Sequence, residues 1–73
     1  MRFTIRQESI KHAKAYAKSK RVSLQRDLSI LEPEEVLEKH WTSIRKMDAL
    51  GDRRYGFITR SALRAVIDAL LAA

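Results

Sequence analysis

From Glu32 to Gly51 the apolar residues Val36, Leu37, Trp41, Ile44, Met47 and Leu50 recur mostly at steps of three and four. At about 3.6 residues per turn they wind into one stripe of an amphipathic helix. Its ends are marked. Pro33 suits a first turn, where its missing N–H has no partner to lose, and Glu32, Glu34 and Glu35 face the positive end of the helix dipole. Arg45 and Lys46 sit near the negative end, and Gly51 can take the left-handed conformation that stops a helix. The stripe, with the only tryptophan, Trp41, at its centre, is the expected seat of the core.

The pattern differs on either side of this helix. Arg2 to Arg6 alternates Phe3 and Ile5 with Arg2, Thr4 and Arg6, the period of a half-buried strand. From Glu8 or Ser9 a helix carries a thin apolar face of Ile10, Ala13 and Ala17; Lys11, Lys14, Lys18 and Arg21 follow the same spacing on an adjacent face, with Tyr16 among them. The rhythm lapses over Lys20 and Arg21, and Ser23 offers a cap to a segment containing Leu24, Leu28, Ile30 and Leu31. A turn at Ser19 to Ser23 is favoured, but an unbroken helix from Ser9 to Leu31 keeps the same residues in register. Pro33 separates this segment from the next helix. Beyond the charged loop Asp52 to Arg54, residues Tyr55 to Thr59 read as extended and as a pairing partner for Phe3 and Ile5. Thr59 or Ser61 then caps a last helix with a strong apolar face of Leu63, Val66, Ile67, Leu70 and Leu71, and with Arg64 and Asp68 paired on its outside. The fold expected is mainly α: a small helical bundle, residues 1–73 as one domain, with a short N-terminal strand.

With 73 residues and no cysteine, the chain has room for one core and no disulfide framework or thiolate metal site. No run approaches the ~20 apolar residues that cross a bilayer, and the N-terminus lacks the apolar segment of a signal peptide. The expectation is a complete soluble protein of the cytoplasm. The net charge of +6 is segregated. Residues 1–26 carry eight Lys or Arg against Glu8 alone, residues 27–38 carry five acids and no base, and residues 39–64 return to seven bases against Asp48 and Asp52. Two basic surfaces around an acidic patch are implied, which favour encounters with anionic partners, whether nucleic acid or an acidic protein face.

Catalytic chemistry finds little support. His12 has only Glu8 at helical spacing, and His40 lies beside the Val36 and Ile44 face, where it reads as a core residue. No nucleophile elbow, phosphate loop or metal-ligand spacing is present. Gly56, Ile58 and Leu63 copy the frame of a calcium-binding EF-hand loop starting at Gly51. The ligand positions, however, fall on Gly51, Arg53, Tyr55 and Ala62, which supply no carboxylates. No enzyme activity, cofactor or metal is expected.

Two resemblances bear on function. RFTIR at Arg2 to Arg6, the helix from Glu8, and Val22, Ser23 and Leu24 opening a second helix resemble a ribbon-helix-helix DNA-binding protein over about 31 of 73 residues. That resemblance implies Arg2, Thr4 and Arg6 in the groove-reading positions and a homodimer. The sequence departs from the family pattern at Lys20 and Arg21, where a turn glycine is usual, and the helix from Pro33 and the C-terminal helix have no counterpart in that minimal dimer. The whole chain, basic, cysteine-free and charge-segregated, is similar to the small phage-encoded regulators that bind host RNA polymerase, inhibiting initiation and suppressing termination. That likeness implies action in the host cytoplasm, on the polymerase near the RNA exit channel. It carries no motif, so the partner-binding residues, Arg2, Thr4, Arg6, Lys11, Lys14, Lys18, Arg21, Arg53 and Arg54, are chosen by charge.

The reading adopted is a monomeric, non-enzymatic transcription regulator that binds bacterial RNA polymerase and no membrane. A ribbon-helix-helix repressor that touches nucleic acid directly is the alternative, and a small phage structural or assembly protein is the third class.

Overall fold

The computed structural model describes residues 5–72, with side chains from residue 7 onward. Five helices follow in order: α1 (Ile5–Ser19), α2 (Arg21–Ile30), α3 (Pro33–Ala49), the single turn α4 (Arg53–Gly56) and α5 (Arg60–Ala72). The shortest dimension of the fold, 18 Å, corresponds to two layers of helices about 10 Å thick. Helix α5 lies against both α1 and α3, and α2 packs on α3.

The helix ends follow from local chemistry. Pro33 begins α3, and the Glu35 carboxylate accepts the Glu32 backbone N–H at 3.2 Å, satisfying one donor that the helix leaves unpaired. Gly51 ends the same helix at φ 98°, a conformation that costs a residue with a Cβ. The Thr59 hydroxyl accepts the Ala62 N–H at 3.1 Å and caps α5. The first two helices are separated by one residue, Lys20, at φ −107° and ψ 25°. Residues 9–31 thus form two helices, and Ser23 lies inside the second rather than at its cap.

The core is drawn from four helices and the approach to α5: Ala13, Tyr16 and Ala17 of α1, Leu24 of α2, Val36, Leu37 and Ile44 of α3, Ile58, and Ala62, Leu63, Val66 and Ile67 of α5. On α3 the buried phase is Val36, Leu37, His40 and Ile44. Trp41 is only half-buried and lies under the Arg45 guanidinium, 5.9 Å from the ring centre. Met47 and Leu50 are exposed. The expected stripe is therefore rotated by about one residue, because His40 has buried partners and can occupy its centre.

The expected strands are corrected. Tyr55 and Gly56 belong to α4, since the Asp52 carboxylate accepts the Arg54 N–H at 3.2 Å and turns the chain into a helical cap. Without an extended partner at 55–59, Ile5 and Arg6 open α1, where their carbonyls can accept from the next helical turn. Arg2, Phe3 and Thr4 lie outside the described residues, as does the expected burial of the Phe3 and Ile5 side chains. No helix among the described residues is long and apolar enough to cross a membrane.

A small core makes each full contact matter. Leu63→Ala, at a site with no exposure, should cost about 2–5 kcal/mol in urea unfolding, and Trp41→Ala should cost less. A Trp41→Ala loss exceeding that of Leu63→Ala would contradict this placement of the core.

Candidate partner-binding surface

Lys14, Lys18 and Arg21 stand at spacings of four and three on α1 and the start of α2, all exposed. They edge a groove of about 460 Å³ between α1 and α5. Its walls are apolar: Ile10 and Ala17 on one side, Ala65, Val66, Ala69 and Leu70 on the other. The groove follows from sequence, because α1 meets α5 through alanines and so leaves a shallow channel where longer side chains would fill it.

Lys11 opens instead onto a second groove, between α1 and α4, of about 490 Å³, shared with His12, Tyr16, Lys20, Arg54 and Tyr55. Arg54 is engaged there by Asp52 through two bonds of 3.0 and 2.8 Å, a pairing that draws the Asp52 carboxyl below its ordinary value and raises Arg54. His12 meets Glu8 at 3.3 Å and stacks on Phe57 with ring centres 5.0 Å apart. Arg53 is exposed and lines neither groove. The charge-chosen residues therefore divide: Lys14, Lys18 and Arg21 are brought together, and Lys11 and Arg54 lie elsewhere. Arg6 is part of α1, and Arg2 and Thr4 fall outside the described residues.

Three of the five acids in segment 27–38 are engaged by bases of the fold. Glu38 pairs with Arg60 and Glu34 with Arg64, tying α3 to α5, and Arg64 also meets Asp68 at 3.2 Å. Hydrogen bonds from Arg64 to Asp68 and Glu34 raise the guanidinium's pKa. Asp27 is buried. Among the described residues no ion pair is formed by Lys14, Lys18 or Arg21. The expected acidic patch is thus partly matched by α5, with Glu32 and Glu35 left exposed at the start of α3, and the basic row stays open.

No protein-family model, curated protein or solved structure matches this chain. Function must be read from the surface and from what holds it.

What holds it is a buried polar relay across three helices. The His40 imidazole of α3 lies 2.9 Å from Asp27 Oδ2 of α2 through Nε2 and 2.7 Å from the Tyr16 hydroxyl of α1 through Nδ1. An ionised carboxylate only accepts, so Nε2–H donates to Asp27, and whenever the ring carries that proton alone, Nδ1 accepts the Tyr16 O–H. Lys39 adds a bond of 3.1 Å to the other Asp27 oxygen. The bonds from His40 and then Lys39 hold the Asp27 carboxyl below its ordinary value. Burial pushes the Tyr16 phenol up, which a hydrogen bond from Ser43 opposes. A phenol held protonated and a histidine closed on both nitrogens are structural groups rather than a nucleophile and base. Among the described residues no group of three or more His, Cys, Asp or Glu is disposed to hold a metal.

His40 is the core residue its position implied. Tyr16 was expected on the basic stripe and is instead buried; its place next to Ala17 and three residues after Ala13 was the available signal. Asp27, three residues after Leu24 and four before Leu31, shares the apolar face of α2 by the same reasoning.

Because folded Asp27 releases its proton at lower pH than the unfolded chain, its contribution is complete above 3.8 and is lost as pH falls from there through the folded value. Thermal melts of the parent should lose stability through this acid range more steeply than those of Asp27→Asn. Parallel curves would contradict the relay. Tyr16→Phe, which strands Nδ1 of His40, should cost about 1–3 kcal/mol at neutral pH.

Proposed function

We propose that this chain is a non-enzymatic transcription regulator that acts by binding bacterial RNA polymerase, inhibiting initiation and suppressing termination. The observation that supports protein binding is the open row Lys14, Lys18 and Arg21 along an apolar groove. Cations beside apolar walls suit a protein face that offers both carboxylates and apolar side chains. A site for duplex phosphates needs the cations and gains little from the walls. The polymerase itself comes from the resemblance in size, charge and layout to phage-encoded regulators. The ribbon-helix-helix alternative loses ground, since Ile5 and Arg6 belong to α1 rather than to a strand.

Lys14→Glu/Lys18→Glu should bind purified bacterial RNA polymerase about tenfold more weakly at low salt, chiefly through slower association, with the difference narrowing as ionic strength rises. In a purified transcription system the parent should reduce promoter-started transcripts and increase read-through at a terminator. Micromolar protein with no affinity for the polymerase, or nanomolar binding of a short palindromic duplex at physiological salt, would overturn the proposal.

A further inference from the structure

We infer that the groove between α1 and α5 is a receptor for an acidic amphipathic helix of the partner, whose apolar stripe lies on Ile10, Val66 and Leu70 while Asp or Glu residues along one flank meet Lys14, Lys18 and Arg21. This rests on the protein-binding part of the function proposed above and names the chemistry of the partner segment. The chain offers no sheet edge among its described residues for an extended segment to join. What it offers is a channel between two packed helices, the setting in which a third helix docks by placing its ridge into a groove. Ala17, Ala65 and Ala69 line that channel. Their small side chains let an incoming helix approach to the ~8 Å between axes at which packed helices meet.

The cations specify the charge of the occupant and its arrangement. Lys14 and Lys18 are four residues apart on α1, about 6 Å at helical rise, and Arg21 follows across the break at Lys20. Acids one turn apart, at i and i+4 of the docked helix, match Lys14 and Lys18, and a further acid toward one end meets Arg21. The opposite wall, Ala65 and Ala69 of α5, carries no charge. The partner helix is therefore acidic on one flank only, and a helix acidic on both flanks would leave one flank unmatched.

A second copy of this chain is a poor occupant. Glu34, Glu38 and Asp68 are paired with arginines, Asp52 with Arg54, and Asp27 is buried; of the exposed acids outside these pairs, Glu32 and Glu35 sit at the start of α3 and Asp48 at its other end, so they form no row along one flank. The net charge of +6 opposes self-association. The own-chain helix richest in acids, α3, already has its acidic side against α5.

The test uses the full chain and a capped synthetic peptide of about 18 residues, some 27 Å long as a helix. It carries a leucine stripe at i, i+3, i+4 and i+7 and glutamates along one flank. One control replaces the glutamates with lysine, and another replaces the leucines with serine. Binding is followed by fluorescence anisotropy and by amide chemical shifts. The glutamate peptide should bind, shifts should centre on Ile10, Ala17, Val66 and Leu70, and both controls should bind at least about tenfold more weakly. Lys14→Glu/Lys18→Glu should weaken binding similarly. Ala69→Trp, a substitution at an exposed position that fills the channel, should abolish it, with circular dichroism reporting that both variants remain folded.

No detectable peptide binding, shifts centred elsewhere, or equal binding of the lysine peptide would overturn the inference. A dimer by sedimentation that Ala69→Trp dissolves would overturn it in favour of a second copy. The polymerase is measured with the same variants. If it binds the parent, Lys14→Glu/Lys18→Glu and Ala69→Trp equally, the inference falls and the polymerase stands. If the peptide occupies the groove and the polymerase does not bind, the polymerase falls and the inference stands.

Discussion

The structure depends on one buried contact, the His40 imidazole held between Asp27 and Tyr16. A domain of 73 residues buries a modest share of its apolar surface, and α1 and α2 contribute mainly alanine and Leu24 to the core. Hydrophobic contact alone sets the position of such helices weakly. A polar relay does it by geometry, because each of its groups must find its partner or remain unpaired away from water. Asp27, His40 and Tyr16 come from three different helices, so meeting all the bonds fixes α1 and α2 against α3. His12 stacked on Phe57, and Tyr55 set edge-on against Tyr16, extend the same clamp to the α4 turn.

That clamp decides what the surface displays. With Tyr16 turned inward, the opposite side of α1 faces out and carries Lys14 and Lys18, continued by Arg21 beyond Lys20. The arginines of α5 meanwhile draw Glu34 and Glu38 of α3 into bridges. Exposed bridges of this kind add little stability each. Their larger effect is on charge distribution: Glu34 and Glu38 are matched by arginines where they lie, and among the described residues no acid is paired with the cations beside the α1/α5 groove. A fold with an alanine-lined channel at that edge presents the two things a protein partner reads together, shape and sign.

The sequence revealed these features unevenly, for physical reasons. The ends of α3 and the start of α5 were legible because Pro33, Gly51 and Thr59 act within a few residues of themselves. The spacing of Lys14, Lys18 and Arg21 was legible as helical periodicity. Trp41 was overrated because pattern reading weights a large ring above an imidazole, whereas His40 can take the buried phase only through partners 13 and 24 residues away. Tyr55, Phe57 and Ile58 around Gly56 read as extended from their residue types, but Asp52 settles the local contest by capping a turn. Arg54 is legible as a base, whereas its pairing with Asp52 depends on the turn that brings two residues so close in sequence face to face. The walls of the groove were legible only as separate apolar faces, Ile10 and Ala17 on one helix and Val66 and Leu70 on another, since α5 reaches Lys14 only after the chain has folded back through three helices.

The relay's direction of hydrogen bonding is the point at which the account is most exposed, and nitrogen-15 NMR of the His40 ring in neutral to mildly basic solution reads it directly. The structure requires the tautomer protonated at Nε2, with that proton protected from solvent exchange by Asp27 and with Nδ1 accepting from Tyr16. A ring protonated at Nδ1, or an Nε2 proton lost to rapid exchange with water, would contradict the claim that this contact sets the helices and the groove they hold open.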